Sequence, residues 1–142
     1  MGVDDYLMKI KQATPLNPIP WLVKWEITKL KPLRETIKLP HIEYKREYWL
    51  KHPERTLVDK TANCINRSLL VYYNFYHSFK MKGKECGIFY FKQSSGMHSE
   101  CGYIDENSST IIFIRLTGET EKFSKGGKYA FITTDKIEEV IL

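Results

Sequence analysis

All six prolines of this 142-residue chain, Pro15, Pro18, Pro20, Pro32, Pro40 and Pro53, lie within its first 53 residues. Proline fixes φ, lacks an N–H and pushes the residue before it out of the α region, which excludes long helices and central strands from that stretch. The first third must therefore be assembled from short pieces. Val3, Leu7 and Ile10 fall at helical spacing, with acids at the start and lysines at the end, and predict a short helix over 3–13. Residues 14–20 read as extended backbone. The alternation of Trp21, Val23, Trp25 and Ile27 predicts a strand with Lys24 and Glu26 toward water. A second helix is expected over 42–51, stopped by the His52-Pro53 step. The strongest helical pattern runs over 59–79, capped by Asp59, with Ile65, Leu69, Tyr72 or Tyr73, Tyr76 and Phe79 as its apolar stripe and Gly83 just beyond its end.

From Lys84 onward the texture changes. Short β-prone runs over 85–92, 99–104, 110–116, 129–133 and 137–142 alternate with turn residues at 93–96, 105–109, 117–119 and 125–128. Ile111 to Ile114 is nearly all apolar and reads as a central strand buried on both faces. Helices followed by strands predict an α+β domain: N-terminal helices and an extended proline-rich segment packed on a C-terminal antiparallel sheet, or small SH3- or Sm-like barrel, of about five strands. The length suits one domain over 1–142, divided into a helical and extended part at 1–83 and a β part at 84–142.

With 42% apolar and 13% aromatic residues, wholesale disorder is excluded. No apolar run approaches the length of a membrane span, and Asp4 and Asp5 precede no apolar signal core, so the expectation is a soluble cytoplasmic protein without a membrane partner. Three cysteines, an odd number, agree with a reducing compartment. Scarce alanine beside abundant Lys, Ile and Tyr fits A+T-rich coding, as in some bacteria, phages or viruses.

The formal charge of +5 is unevenly placed. Residues 1–80 hold 14 basic against 8 acidic side chains, and residues 81–142 hold 8 against 9. A basic half of this kind suits a phosphate-bearing partner or an acidic protein surface. Within it, residues 44–55 interleave cations and aromatics. Lys45, Arg46, Lys51 and Arg55 are candidate phosphate contacts, and Tyr44, Tyr48 and Trp49 are flat faces for unpaired bases. On the expected helix, Tyr44, Tyr48 and Lys51 share a face. The competing assignment is an amphipathic helix whose aromatics enter the core.

Arg46 and His52 are separated by five residues, a spacing similar to that of metal-independent ribonucleases of the HEPN type. The resemblance implies acid–base work by His52 and phosphorane stabilisation by Arg46, on a helical-bundle fold that the β-rich second half does not match. His77, Cys86, His98 and Cys101 are candidate zinc ligands within 25 positions, but their spacing matches no two-knuckle pattern and ordinary packing accounts for buried cysteines equally well. Cys101 beside His98 lacks an identifiable group to orient the histidine as a base. No phosphate-binding glycine loop is present, so no cofactor is expected. The function these features predict is a small non-catalytic protein binding RNA or single-stranded DNA. The alternatives are a phage- or viral-type interaction module or inhibitor, and a metal-independent ribonuclease. Free sheet edges would be the route to any oligomer.

Overall fold

A computed structural model describes residues 19–123 and 126–141 of the chain. The helix expected over 3–13 lies outside the described residues, as does the extended stretch up to Pro18. In order, the elements are α1 (Ile19–Lys29), β1 (Glu43–Tyr44), α2 (Pro53–Asp59), β2 (Thr61–Ala62), α3 (Cys64–Met81), β3 (Gly87–Gln93), β4 (Gly96–Asp105), β5 (Thr110–Ile114), β6 (Thr120–Phe123), β7 (Lys128–Ile132) and β8 (Ile137–Ile141). Strands β3 to β8 form one antiparallel sheet in the order β6-β5-β4-β3-β7-β8, and β1 and β2 make a two-residue parallel ladder. The architecture is thus α+β, with six strands rather than five. The sheet stays open, with β6 and β8 as its edges, so the barrel alternative is not realised.

The unexpected strand is β6, Thr-Glu-Lys-Phe, which is polar because it is an exposed edge paired only with β5. Edge position also explains why β5, although buried along Ile111–Ile114, is second from the edge instead of central. Along β3 the side chains alternate between two apolar clusters. Ile88 and Tyr90 pack with Leu69, Leu70, Tyr72 and Cys101. Phe89 and Phe91 join Phe113, Tyr129 and Phe131 in an aromatic cluster, where the Phe89 and Phe131 rings stack with centroids 4.5 Å apart. Gly87 and Gly102 face one another across β3 and β4, and a Cβ at either would collide with the carbonyl oxygens of Ile132 and Ile112. Only glycine permits that approach.

Four local expectations are corrected. Residues 21–27 are helical, not a strand: Val23 and Ile27, four apart, are the buried residues of α1, and Pro20 sits in its first turn, where a missing N–H costs nothing. Residues 42–51 form no helix; they supply β1 and a loop, and Tyr44, Tyr48 and Lys51 share no helical face. The His52-Pro53 step starts a helix instead of stopping one. Pro53 occupies the first turn of α2, and the His52 side chain caps it by accepting from the Glu54 N–H at 3.1 Å. The long helix then begins at Cys64, not Asp59, because Asn63 is its cap and accepts from the Asn66 N–H at 2.8 Å. Among the described residues no helix is long and apolar enough to cross a membrane.

Candidate active site

Two polar clusters flank the first turn of α3. The first is buried. Lys51, expected to contact phosphate, is only 6% exposed. Its Nζ lies 2.6 Å from Glu47 Oε1 and 3.1 Å from Asp59 Oδ2, and donates to the Thr61 carbonyl at 2.9 Å. Asn66, fully buried, donates to Glu47 Oε2 at 2.7 Å and to the Trp49 carbonyl at 3.1 Å, and accepts from the Lys51 N–H at 2.8 Å. Asn63 donates to the Glu47 carbonyl at 3.1 Å. Burial works to raise the Glu47 carboxyl, but the hydrogen bonds from Lys51 and Asn66 outweigh it and hold it below its ordinary range. For Lys51, burial pulls the ammonium down and the two carboxylates carry it above its ordinary range. Every group in the cluster is consumed by its neighbours, and it works as a clamp fastening loop 47–51 to the start of α3.

The second cluster is half-exposed. Cys64 is the first residue of the 18-residue helix α3. Its thiol interacts with the His98 side chain, and His98 Nε2 lies 2.8 Å from Glu100 Oε1. These two partners, the thiol first and the carboxylate second, lift the imidazole to about 9 against the opposing effect of burial. The arrangement is fixed from both sides of the fold. Ser68, one turn along α3, donates to the Cys64 carbonyl at 2.7 Å and accepts from Ser99 at 3.0 Å, which ties the helix to the strand residue next to His98. On β4, His98 and Glu100 are two apart and so project to the same side. The Phe91 ring meets His98 edge-on, with centroids 5.4 Å apart.

A thiol in the first turn of a long helix, beside an imidazole held by a carboxylate, has the components of an activated nucleophile: positive helix terminus, acid–base partner and orienting group.

The sequence-predicted residues divide. Tyr44, Tyr48 and Trp49 are 63%, 83% and 65% exposed, and Arg46 stands over the Tyr48 ring at 5.9 Å. Lys45, Trp49, His52 and Arg55 line an open groove of about 730 Å³. Arg55 is paired with Asp59 at 3.0 Å and Lys51 is withdrawn into the clamp, so two of the four expected cations already have carboxylate partners. Arg46 and His52 are engaged separately. His52 caps α2 with its ring edge-on to Tyr73, and Arg46 stacks on Tyr48. Of the four metal candidates, His77 on α3 packs against Tyr76, Cys101 pairs across the ladder with Ile88 instead of Cys86, and only His98 belongs to the polar cluster. Burial pushes the Cys86 thiol up to about 12 and Cys101 well above its ordinary range. Among the described residues no three His, Cys, Asp or Glu side chains are grouped to hold a metal.

Glu100 holds His98, contrary to the expectation that nothing orients it, and the sulfur that His98 meets is Cys64, not Cys101. Two signals point there: Asn63 directly before Cys64 is a capping residue, and His-x-Glu on a strand puts both side chains on one face. A search against known protein families, curated proteins and solved structures finds no match.

Proposed function

We propose that this chain is a cysteine-dependent acyl-transfer enzyme with Cys64 as nucleophile, His98 as acid and base and Glu100 as the group that orients the imidazole. The observation that carries the reading is the His98–Glu100 pair, 2.8 Å apart, acting beside Cys64 at the helix N-terminus. In the first half-reaction His98 takes the Cys64 proton as the sulfur adds to a carbonyl carbon. The tetrahedral intermediate collapses as the leaving group takes the His98 proton, and a thioester remains on Cys64. In the second half, water or another acceptor loses a proton to His98 and attacks the thioester, expelling the sulfur. Incubation with p-nitrophenyl acetate followed by mass spectrometry tests it: an acetyl group on Cys64 that turns over, lost in Cys64→Ala and slowed in His98→Ala, supports the reading. Equal acylation in wild type and His98→Ala refutes it.

A second reading is favoured by one specific observation, the exposure of Tyr44, Tyr48 and Trp49 beside Lys45 and Arg46. On this reading the loop docks an anionic partner, most simply RNA or single-stranded DNA, through stacking and phosphate contacts. A salt series with fluorescent single strands measures it, and absence of binding at low salt removes it. An acidic protein surface is the alternative occupant, recognised by binding that survives nuclease treatment.

A further inference from the structure

His98 and Ser99 are neighbours on β4 and project to opposite faces of the sheet. His98 shares its face with Phe91, whereas Ser99 lies opposite Tyr90, on the face where Leu69, Tyr72 and Cys101 pack. Helix α3 therefore lies on the Ser99 side, and the Cys64 thiol meets the imidazole at the margin of the strand, not over its face. Such a meeting depends on how far along and across β4 the helix end is set. Within this largely apolar interface sit two hydroxyls, Ser68 and Ser99, 3% and 2% exposed. Ser99 donates to Ser68 Oγ at 3.0 Å, and Ser68 donates to the Cys64 carbonyl at 2.7 Å. Two hydrogen bonds thus run from the residue beside the base to the peptide of the nucleophile.

We infer that Ser68 and Ser99 are positioning residues, which set the first turn of α3 against β4 so that the Cys64 thiol stands within reach of His98. The inference rests on the acyl-transfer reading of Cys64 and adds to that site two residues that act through their neighbours. Stability alone does not account for the pair. Alanine at both positions keeps nearly the same shape and leaves neither hydroxyl without its partner, a replacement close to neutral, and alanine is the better helix former at position 68. A serine that bonds back to the carbonyl four residues earlier also tends to weaken and bend its helix. What the hydroxyls supply is direction: apolar burial is non-directional, and a hydrogen bond fixes one point of contact. The order of the two bonds makes the serines unequal. Without Ser99, Ser68 still donates to the Cys64 carbonyl; without Ser68, the buried Ser99 hydroxyl loses its acceptor. Loss of Ser68 alone is therefore the costly change for folding, while loss of either or both releases the helix end from β4.

The test follows iodoacetamide alkylation of Cys64 in the full-length chain by peptide mapping between pH 6 and 10, with a urea unfolding curve for each variant. The double variant Ser68→Ala, Ser99→Ala is expected to unfold close to the wild-type midpoint yet alkylate Cys64 about tenfold more slowly at pH 7. The midpoint of its rate profile should move up toward about pH 8.5, that of a free thiol without an imidazole partner. Ser99→Ala should behave in the same way, and Ser68→Ala should be the least stable of the three but no less reactive than the double variant. Reactivity that falls in step with the unfolding midpoint across the variants, or a double variant that does not fold, overturns positioning and makes the hydroxyls a structural bond only. A double variant with the wild-type rate and profile overturns it too, and leaves the acyl-transfer reading standing where His98→Ala is slow. If His98→Ala alkylates as fast as wild type, both readings fall.

Discussion

The clamp of Glu47, Lys51 and Asp59 and the series of Cys64, His98 and Glu100 are each three ionisable groups at the start of α3, yet they are built to opposite ends. In the clamp the Lys51 and Glu47 side chains are buried, and Lys51 Nζ binds two carboxylates and a carbonyl. Its donors and acceptors are spent inside the protein. In the thiol cluster the His98 and Glu100 side chains keep about a quarter of their surface, and the cysteine end of the series reaches the helix terminus. Saturation distinguishes structural polarity from chemical polarity: a group whose hydrogen bonds are all made inside holds a loop, and one left open can meet a substrate.

Breaking the clamp carries the largest effect. Lys51→Ala leaves Glu47 buried without its counter-charge and is expected to cost about 3–5 kcal/mol in urea unfolding, whereas Lys51→Met with Glu47→Gln, which removes both charges, costs much less. If Lys51→Ala unfolds like wild type, the clamp does not hold the loop. The corresponding change in the second cluster acts on reactivity. His98→Ala is expected to slow iodoacetamide alkylation of Cys64 at pH 7 by about tenfold or more. Cys86 and Cys101, buried with raised thiol pKa values, should label only on unfolding. Equal labelling of all three cysteines in the folded chain would refute the distinction.

The residues that made the fold legible were those whose neighbours in sequence are also their neighbours in space. Strand positions after Lys84, β6 excepted, follow from alternation and turn residues, and the stripe through Leu69, Tyr72 and Phe79 marks α3. What stayed hidden depends on contacts across the chain. The period of Trp21 to Ile27 suits a strand or, through Val23 and Ile27, a helix, and only packing decides. Lys51 looks like a surface cation until Glu47, Asp59 and Thr61 converge on it. Cys64 and His98 are 34 positions apart, and no local pattern joins them. The single-residue error that mattered was the helix cap: placed at Asp59, it leaves Cys64 in mid-helix, and placed at Asn63, it puts the thiol at the terminus.

The pH dependence of the thiol cluster sharpens the contrast further. His98 rises to about 9 in the folded chain from an ordinary value near 6.5, first through Cys64 and then through Glu100. A raised folded value means that the imidazolium's partners stabilise the native state fully below about pH 6.5, and that this contribution fades as pH climbs through about 9. Glu100→Gln should therefore be less stable than wild type at pH 6 and converge with it by pH 10, and the His98 ring resonances should titrate at a lower pH in the variant. A stability gap that is constant from pH 6 to 10 would show that Glu100 acts by packing and not by charge.

The smallest stability effect belongs to the exposed loop. Trp49 contributes its carbonyl to Asn66, while its indole stays 65% exposed, so Trp49→Ala keeps the hydrogen bond and removes only the solvated ring. The expected change in unfolding free energy is within about 0.5 kcal/mol. On the anionic-partner reading the same substitution weakens single-strand binding by about 1–3 kcal/mol, the scale of one lost base–aromatic stack. Stability and binding thus separate at one residue: a loop held rigid by Glu47 and Asn66 from beneath leaves its outer face free to be selected for recognition. A Trp49→Ala chain that loses stability in parallel with binding would mean that the ring serves the clamp, and the division between the two clusters would then extend to the loop's outer surface.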